Sequence, residues 1–203
     1  MPYSHPFLTG LDVAEVIAHP TDDVAKVYKS VVNMTHRNLW LVPHPKPDRP
    51  KVKAFTPGDC VVAAAMLRLW NAGFQASEGL EAAVLRLNNW YLTDEFPDWL
   101  PGDPDPVSPV DPDKPTSPAS FILQDFCETD AGWTLRVDSR RNRVTGKFRS
   151  VATLWRGEGD STVALGNGSP CLADEELQCG LVVVLDEILA QVASRMTHKL
   201  EAR

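Results

Sequence analysis

Apolar and polar positions follow two different rhythms along the chain. In the first half, apolar residues recur three and four apart, the spacing of helices with one buried face. "LDVAEVIAHP" predicts a short helix ended by His19-Pro20. Thr21 then stands as an N-cap, with Asp22 and Asp23 in the first turn, where carboxylates favour the positive helix end. "DDVAKVYKSVVNMTHRNLW" continues as helix, either unbroken or interrupted near Ser30, until Pro43, Pro45, Pro47 and Pro50 stop it. "HPKPDRPKVKAF" predicts an extended, exposed loop. The next helix is strongly marked. Thr56 is its N-cap, Pro57 its first residue, and Asp59 lies in its first turn. Val62, Ala65, Met66, Leu69 and Trp70 form its apolar face, and Gly73 supplies a left-handed cap. "SEGLEAAVLRLNNWYL" predicts a further helix from Ser77.

The second half changes period. "FILQDFC", "WTLRVDS", "VTGKFRSVATLW" and "STVAL" read as strands, with a turn at or near "DSRRNR". "ADEELQCGLVVVLDEILAQVASRMTHKL" predicts one long terminal helix. Its stripe is Leu177, Leu181, Val184, Leu185, Ile188, Val192 and Met196, and Arg195, His198 and Lys199 close it. The stripe is longer than a small sheet needs for cover, so a homodimer is expected through it. Between the halves, Pro97 to Pro118 holds eight prolines and five aspartates. Proline removes donors and fixes φ, which excludes a regular helix or central strand. The expected class is α+β: a helical domain over 1–96, a Pro/Asp-rich linker over 97–118, and a small antiparallel sheet with one long helix over 119–203.

Charge alters this picture. The net charge is −7, yet two segments are basic. Lys26, Lys29, Arg37, Lys46, Arg49, Lys51 and Lys53 face only Asp48 within Val24–Lys53. Arg136, Arg140, Arg141, Arg143, Lys147, Arg149 and Arg156 face only Asp138 within Arg136–Arg156. Screening over about 8–10 Å lets such patches act on phosphates despite an acidic whole. The second patch, in the hairpin around 136–149, reads either as a charged edge or as an accessory nucleic-acid contact.

Other chemistry is sparse. No Walker loop, HExxH, Gly-x-Ser-x-Gly or dinucleotide fingerprint is present, and the five histidines are scattered, so no enzyme and no cofactor are expected. Cys60, Cys127, Cys171 and Cys179 form no CxxC pair, and no metal site is expected. No apolar run reaches the roughly 18 residues that span a bilayer, and "MPYSHPFLTG" is not a secretory signal. A cytoplasmic location without membrane contact is the expectation.

The order helix, helix, basic loop, helix, helix over residues 21–87 resembles the N-terminal winged helix-turn-helix of MerR-type regulators and of excisionase-like proteins. "WLVP", Trp40 to Pro43, stands where that family ends its second helix. Lys53-Ala54-Phe55 matches its basic-x-aromatic wing end, Asp59 its next helix start, and Ala72-Gly73-Phe74 its Leu-Gly-Phe. The family's Gly-Val-Ser turn is missing, so helix one is either Leu11–Ala18 or Asp22–Tyr28. The resemblance implies a transcriptional regulator that binds double-stranded DNA as a homodimer, with an effector or dimerisation role for the C-terminal part. Physically, a proline-rich cationic loop suits phosphates, while a helix reads base edges. The residues expected at DNA are Lys26, Lys29, Asn33, Thr35, His36 and Arg37 of the helix, and Lys46, Arg49, Lys51 and Lys53 of the wing. The competing readings are a protein-interaction or ligand-binding module and an excisionase-like architectural factor.

Overall fold

The computed structural model describes residues 7–37, 40–45, 53–74, 77–89, 117–158, 161–165 and 172–201. The first helix, α1 (Gly10–Ile17), opens on a reciprocal cap: Thr9 accepts from Asp12 N, and Asp12 accepts from Thr9 N at 2.7 Å. Its C-terminal turn carries no basic residue of its own. α2 (Val24–His36) follows, with Asp23 rather than Thr21 as N-cap; the Thr21 hydroxyl instead meets His19 Nδ1 at 2.7 Å. β1 (His44–Pro45) and β2 (Lys53–Ala54) pair antiparallel, His44 against Ala54. Thr56 then opens α3 (Pro57–Asn71) with a second capping box to Asp59, as its sequence predicts. α3 ends in a Schellman motif. Gly73 has φ 84°, Phe74 N donates to Leu69 O, and Gly73 N donates to Trp70 O. α4 (Ser77–Asn88) completes the N-terminal helices.

The expected strand at Phe121–Cys127 is instead part of a helix, α5 (Pro118–Thr129). Ser117 caps it by accepting from Ser120 N, and Pro118 occupies the first turn. Phe121, Ile122 and Leu123 are all buried. A short apolar run covered on several sides carries no period that separates strand from helix. β3 (Gly132–Asn142), β4 (Phe148–Glu158), β5 (Ser161–Leu165) and β6 (Glu175–Val184) form an antiparallel sheet in the order β5-β4-β3-β6. The β3–β4 turn falls just beyond Asn142, whose side chain accepts from Thr145 N at 2.7 Å.

The terminal helix is also shorter than expected. Glu175–Val184 is strand β6, and α6 spans Asp186–Glu201. Val182-Val183-Val184 favours a pleated strand. At Gly180 a Cβ would stand 2.9 Å from Asp138 Oδ1, so glycine lets β6 lie against that carboxylate. Leu185, Ile188, Leu189, Val192 and Met196 are buried within the chain itself, whereas Leu177 and Val184 are exposed. The stripe that suggested a dimer through this helix is thus spent on the chain's own core.

One core cluster runs from Leu8 to Met196 and draws on both sides of the proline-rich stretch. α4 packs on β4, and α3 packs on α5 and α6. At Gly58 a Cβ would come within 2.3 Å of Ser120 Oγ, which is why α3 and α5 approach so closely. Of the expected linker, only Ser117 and Pro118 lie among the described residues, and both belong to the start of α5. α6 clasps α1. Arg195 Nη1 donates to Glu15 O, Val16 O and Ala18 O at 2.6, 3.0 and 2.6 Å. Gln191 Nε2 donates to Val16 O, and Lys199 Nζ reaches Asp12 Oδ1 and Glu15 Oε2 at 2.6 and 2.7 Å.

The clasp can be tested in two ways. Arg195→Met keeps the packing stem but removes the charged donor, and should lower the unfolding free energy by about 1.5–3 kcal/mol in urea titrations. Partial burial pushes the Asp12 carboxyl up, but hydrogen bonds from Lys199 and Thr9 outweigh it and hold the pKa at about 2, below the ordinary 3.8. The folded state therefore prefers the carboxylate. Its contribution is complete above about pH 4 and is lost as the pH falls toward 2. Asp12→Asn should destabilise the protein at pH 6, and the difference from the parent should fade by pH 2; an equal difference at both values would contradict the assignment.

Candidate nucleic-acid interface

α2 divides its residues by angle. At 100° per residue, Lys26, Lys29, Asn33, His36 and Arg37 fall within an arc of about 100°, and all five are exposed. Val27, Val31 and Met34 turn inward. Thr35 lies about half a turn from Lys26 and is buried, its hydroxyl donating to Val31 O at 2.9 Å. It cannot contact a ligand from there, so the expectation of Thr35 at DNA is corrected. A hydroxyl that bonds back to its own helix can face a core.

The hairpin is fixed at its root. Phe55 is buried and exchanges hydrogen bonds with the N-terminal segment: Leu8 N to Phe55 O at 3.0 Å and Phe55 N to Leu8 O at 2.8 Å. The Thr56 hydroxyl and amide both bond Asp59 Oδ2, at 2.8 and 2.7 Å, and His44 Nε2 lies 4.0 Å from the same oxygen. Burial pushes the Asp59 carboxyl up, against the pull of the Thr56 bonds. Lys53 is exposed, and its Nζ sits 3.4 Å from both ring nitrogens of His36. The base of the hairpin therefore meets the C-terminal end of the α2 polar face. Lys46, Arg49 and Lys51 lie outside the described residues.

Beside that face is a groove of about 320 Å³. Ser30, Asn33, Met34 and Arg37 line it from α2, Leu67 and Trp70 from α3, and Trp40 from the segment between. Trp40 is held by bonds from its amide to Met34 O (2.9 Å) and from Asn88 Nδ2 to its carbonyl (3.1 Å). Trp40 and Phe55 are core residues, but Trp70, expected on the apolar face of α3, is 46% exposed on the groove rim. Ser30, Met34 and Trp70 were not anticipated here. The available signal was that Trp70 sits at the margin of the α3 apolar face, one residue beyond the buried Leu69.

The two basic segments fare differently. On the sheet, Arg136 and Arg140 pair with Asp138 at 2.7 and 3.6 Å, and Arg149 chelates Glu175, with Nη2 to Oε2 at 2.6 Å. The Arg149 hydrogen bond holds the Glu175 carboxyl below its usual range. Arg143 pairs with Glu176, and Arg141 lies over the Phe148 ring. Arg156 donates twice to Asp125, at 2.8 and 3.0 Å, and Trp133 Nε1 donates to the same carboxylate at 2.9 Å. By contrast, Lys26, Lys29, Arg37 and Lys53 form no salt bridge among the described residues.

Among the described residues, no group of three or more His, Cys, Asp or Glu could hold a metal ion. Cys60, Cys127 and Cys179 are free thiols, and burial pushes the Cys60 thiol well up. No helix among them is long and apolar enough to cross a membrane. No protein-family model, curated protein or solved structure matches the chain.

Two substitutions probe the supports of this surface. Asp125→Ala removes the carboxylate that the largely buried Arg156 and the Trp133 N–H share, and should cost about 3–5 kcal/mol of stability by chemical denaturation. Thr56→Ala removes the α3 cap and a donor to Asp59, and should cost about 1–2 kcal/mol in the same measurement.

Proposed function

We propose that this protein is a non-enzymatic regulator that binds double-stranded DNA in a sequence-specific way, with α2 as the reading helix and the β1–β2 hairpin as its wing. One observation carries the reading. The cations of the α2 face and of Lys53 are exposed and have no carboxylate partners among the described residues, while five of the seven in the equally basic sheet segment, Arg136, Arg140, Arg143, Arg149 and Arg156, pair with carboxylates of the chain. An unneutralised stripe of Lys and Arg, with Asn33 among them, suits phosphates at its margins and base edges at its centre. The order α1, α2, antiparallel hairpin, α3, with Leu8 bridging to Phe55, supports the likeness to MerR-type winged helix-turn-helix domains. The sheet and α6 make up the remaining part, which the clasp on α1 couples to the reading helix.

A second reading has its own support. The groove has an apolar floor and an exposed tryptophan rim, which suits a protein or small-molecule ligand as well as it suits DNA.

Salt-dependent binding to duplex DNA separates the two. The parent should bind random duplex with a steep negative log–log salt slope and bind a selected sequence more tightly. Changing Lys26, Lys29 and Lys53 together to alanine should weaken binding to all sequences and reduce the slope by about 0.9 for each phosphate left unneutralised. Asn33→Ala should cost about 1–3 kcal/mol at the selected site and little on random DNA. If the folded parent binds no duplex at low salt, the DNA reading falls and the groove reading stands.

A further inference from the structure

The two edges of the sheet are unequal. β5, at one edge, has five residues, while β6, at the other, has ten. Among the described residues no strand pairs with the far side of β6. Pairing on one side uses only half of a strand's N–H and C=O groups, and the rest stand in an outward row. Proteins usually blunt such an edge with charge, proline or shortness. From Leu177 to Leu185, "LQCGLVVVL" has no charge and no proline. A register shift opposite Ser139/Arg140 interrupts the ladder near Leu177, but Cys179 to Val184 pair continuously with β3. Leu177, Val182 and Val184 are 50, 57 and 51% exposed, and Gln178, Cys179 and Gly180 are exposed as well.

We propose that β6 is the docking edge for a second copy of this chain. Two β6 strands would pair antiparallel about a two-fold axis and join the two sheets into one. Three features select a second copy over another partner. An antiparallel pair of identical strands is self-complementary, since each donor row meets the acceptor row it repeats. The chain carries a net charge of −7, so copies repel over most of their surfaces, and the uncharged stretch of β6 is where that repulsion is least. That stretch also offers no countercharge to a charged partner. Side chains keep their faces only when the axis passes through a residue position, which puts Val182 and Val184 of both copies on one side of the joined sheet. β6 runs through Leu185 into α6, which clasps α1, so the same axis would set the separation of two α2 faces. That last consequence rests on the DNA reading; the pairing does not.

The test uses the full chain without DNA. Sedimentation at micromolar concentration should give twice the 22.4 kDa chain mass. Val182→Lys combined with Val184→Lys, both at exposed positions, should halve that mass and leave the circular dichroism unchanged. Val144→Lys, in the exposed β3–β4 turn, should leave the parent mass intact. Hydrogen exchange of the parent gives an independent reading: outward amides of β6 should exchange faster on dilution, while those of β3 should not. A single-chain mass for the parent, a double variant that keeps the doubled mass, or a turn variant that also halves it would overturn the proposal. If the double variant fails to fold, exchange in β6 that does not change with concentration overturns it as well.

Discussion

The position of the Arg195 guanidinium at the C-terminal end of α1 governs how the rest of the molecule fits together. The last turn of any α-helix leaves carbonyls without intrahelical donors and a partial negative charge at its end. α1 is short and has no basic residue there to answer them. Arg195 answers from the far end of the chain, with help from Gln191, and Lys199 reaches the acidic residues of α1. α6 is in turn fixed to the sheet. Asp186 accepts from Trp133 N at 2.6 Å, and Leu185 N donates to Trp133 O at 2.8 Å. Glu187 pairs with Arg68 of α3 at 2.8 Å. An unbroken series of polar contacts thus runs from sheet to α6 to α1, and α1 packs on α2.

The same economy of charge separates the two basic regions. Alternate residues of a strand share a face, so Arg136, Asp138 and Arg140 stand in a row on β3. Strand pairing then brings Arg149 opposite Arg140, and Glu175 joins the row from β6. Two largely buried carboxylates hold these arginines together, and the guanidiniums are consumed by the fold. On α2 the acidic residues come only before the helix, at Asp22 and Asp23. Asp23 is occupied as the N-cap, bonding Ala25 N at 2.9 Å, and Lys29 and Arg37 farther along have no acidic neighbour one turn away.

The local determinants of this fold were legible in the sequence wherever a single residue imposes a single geometry. Thr56-Pro57-x-Asp59 specified the start of α3, and Gly73 its left-handed end, because caps depend on neighbours within four residues. His19-Pro20 marked the end of α1 for the same reason, whereas α2 ends at His36 with Arg37 as its C-cap, short of the Trp40 that the prolines from Pro43 onward suggested. The two faces of α2 were equally available: the 3.6-residue period alone puts Thr35 opposite Lys26, and applying it would have removed Thr35 from the candidate site. What sequence could not decide was any matter settled by a partner distant in the chain. Phe121–Cys127 became helix because α3 and the sheet bury it on more than one side. Leu177–Val184 has both a helical stripe and a β-branched run, and pairing with β3 selected the strand. Equal counts of arginine and lysine in two segments gave no hint that one would be neutralised, since the neutralising Asp125 and Glu175 come from elements brought near only by the fold. Short-range sterics and capping act before the chain is compact, whereas burial and ion pairing exist only once distant segments meet, and the groove beside Trp70 belongs to that second kind.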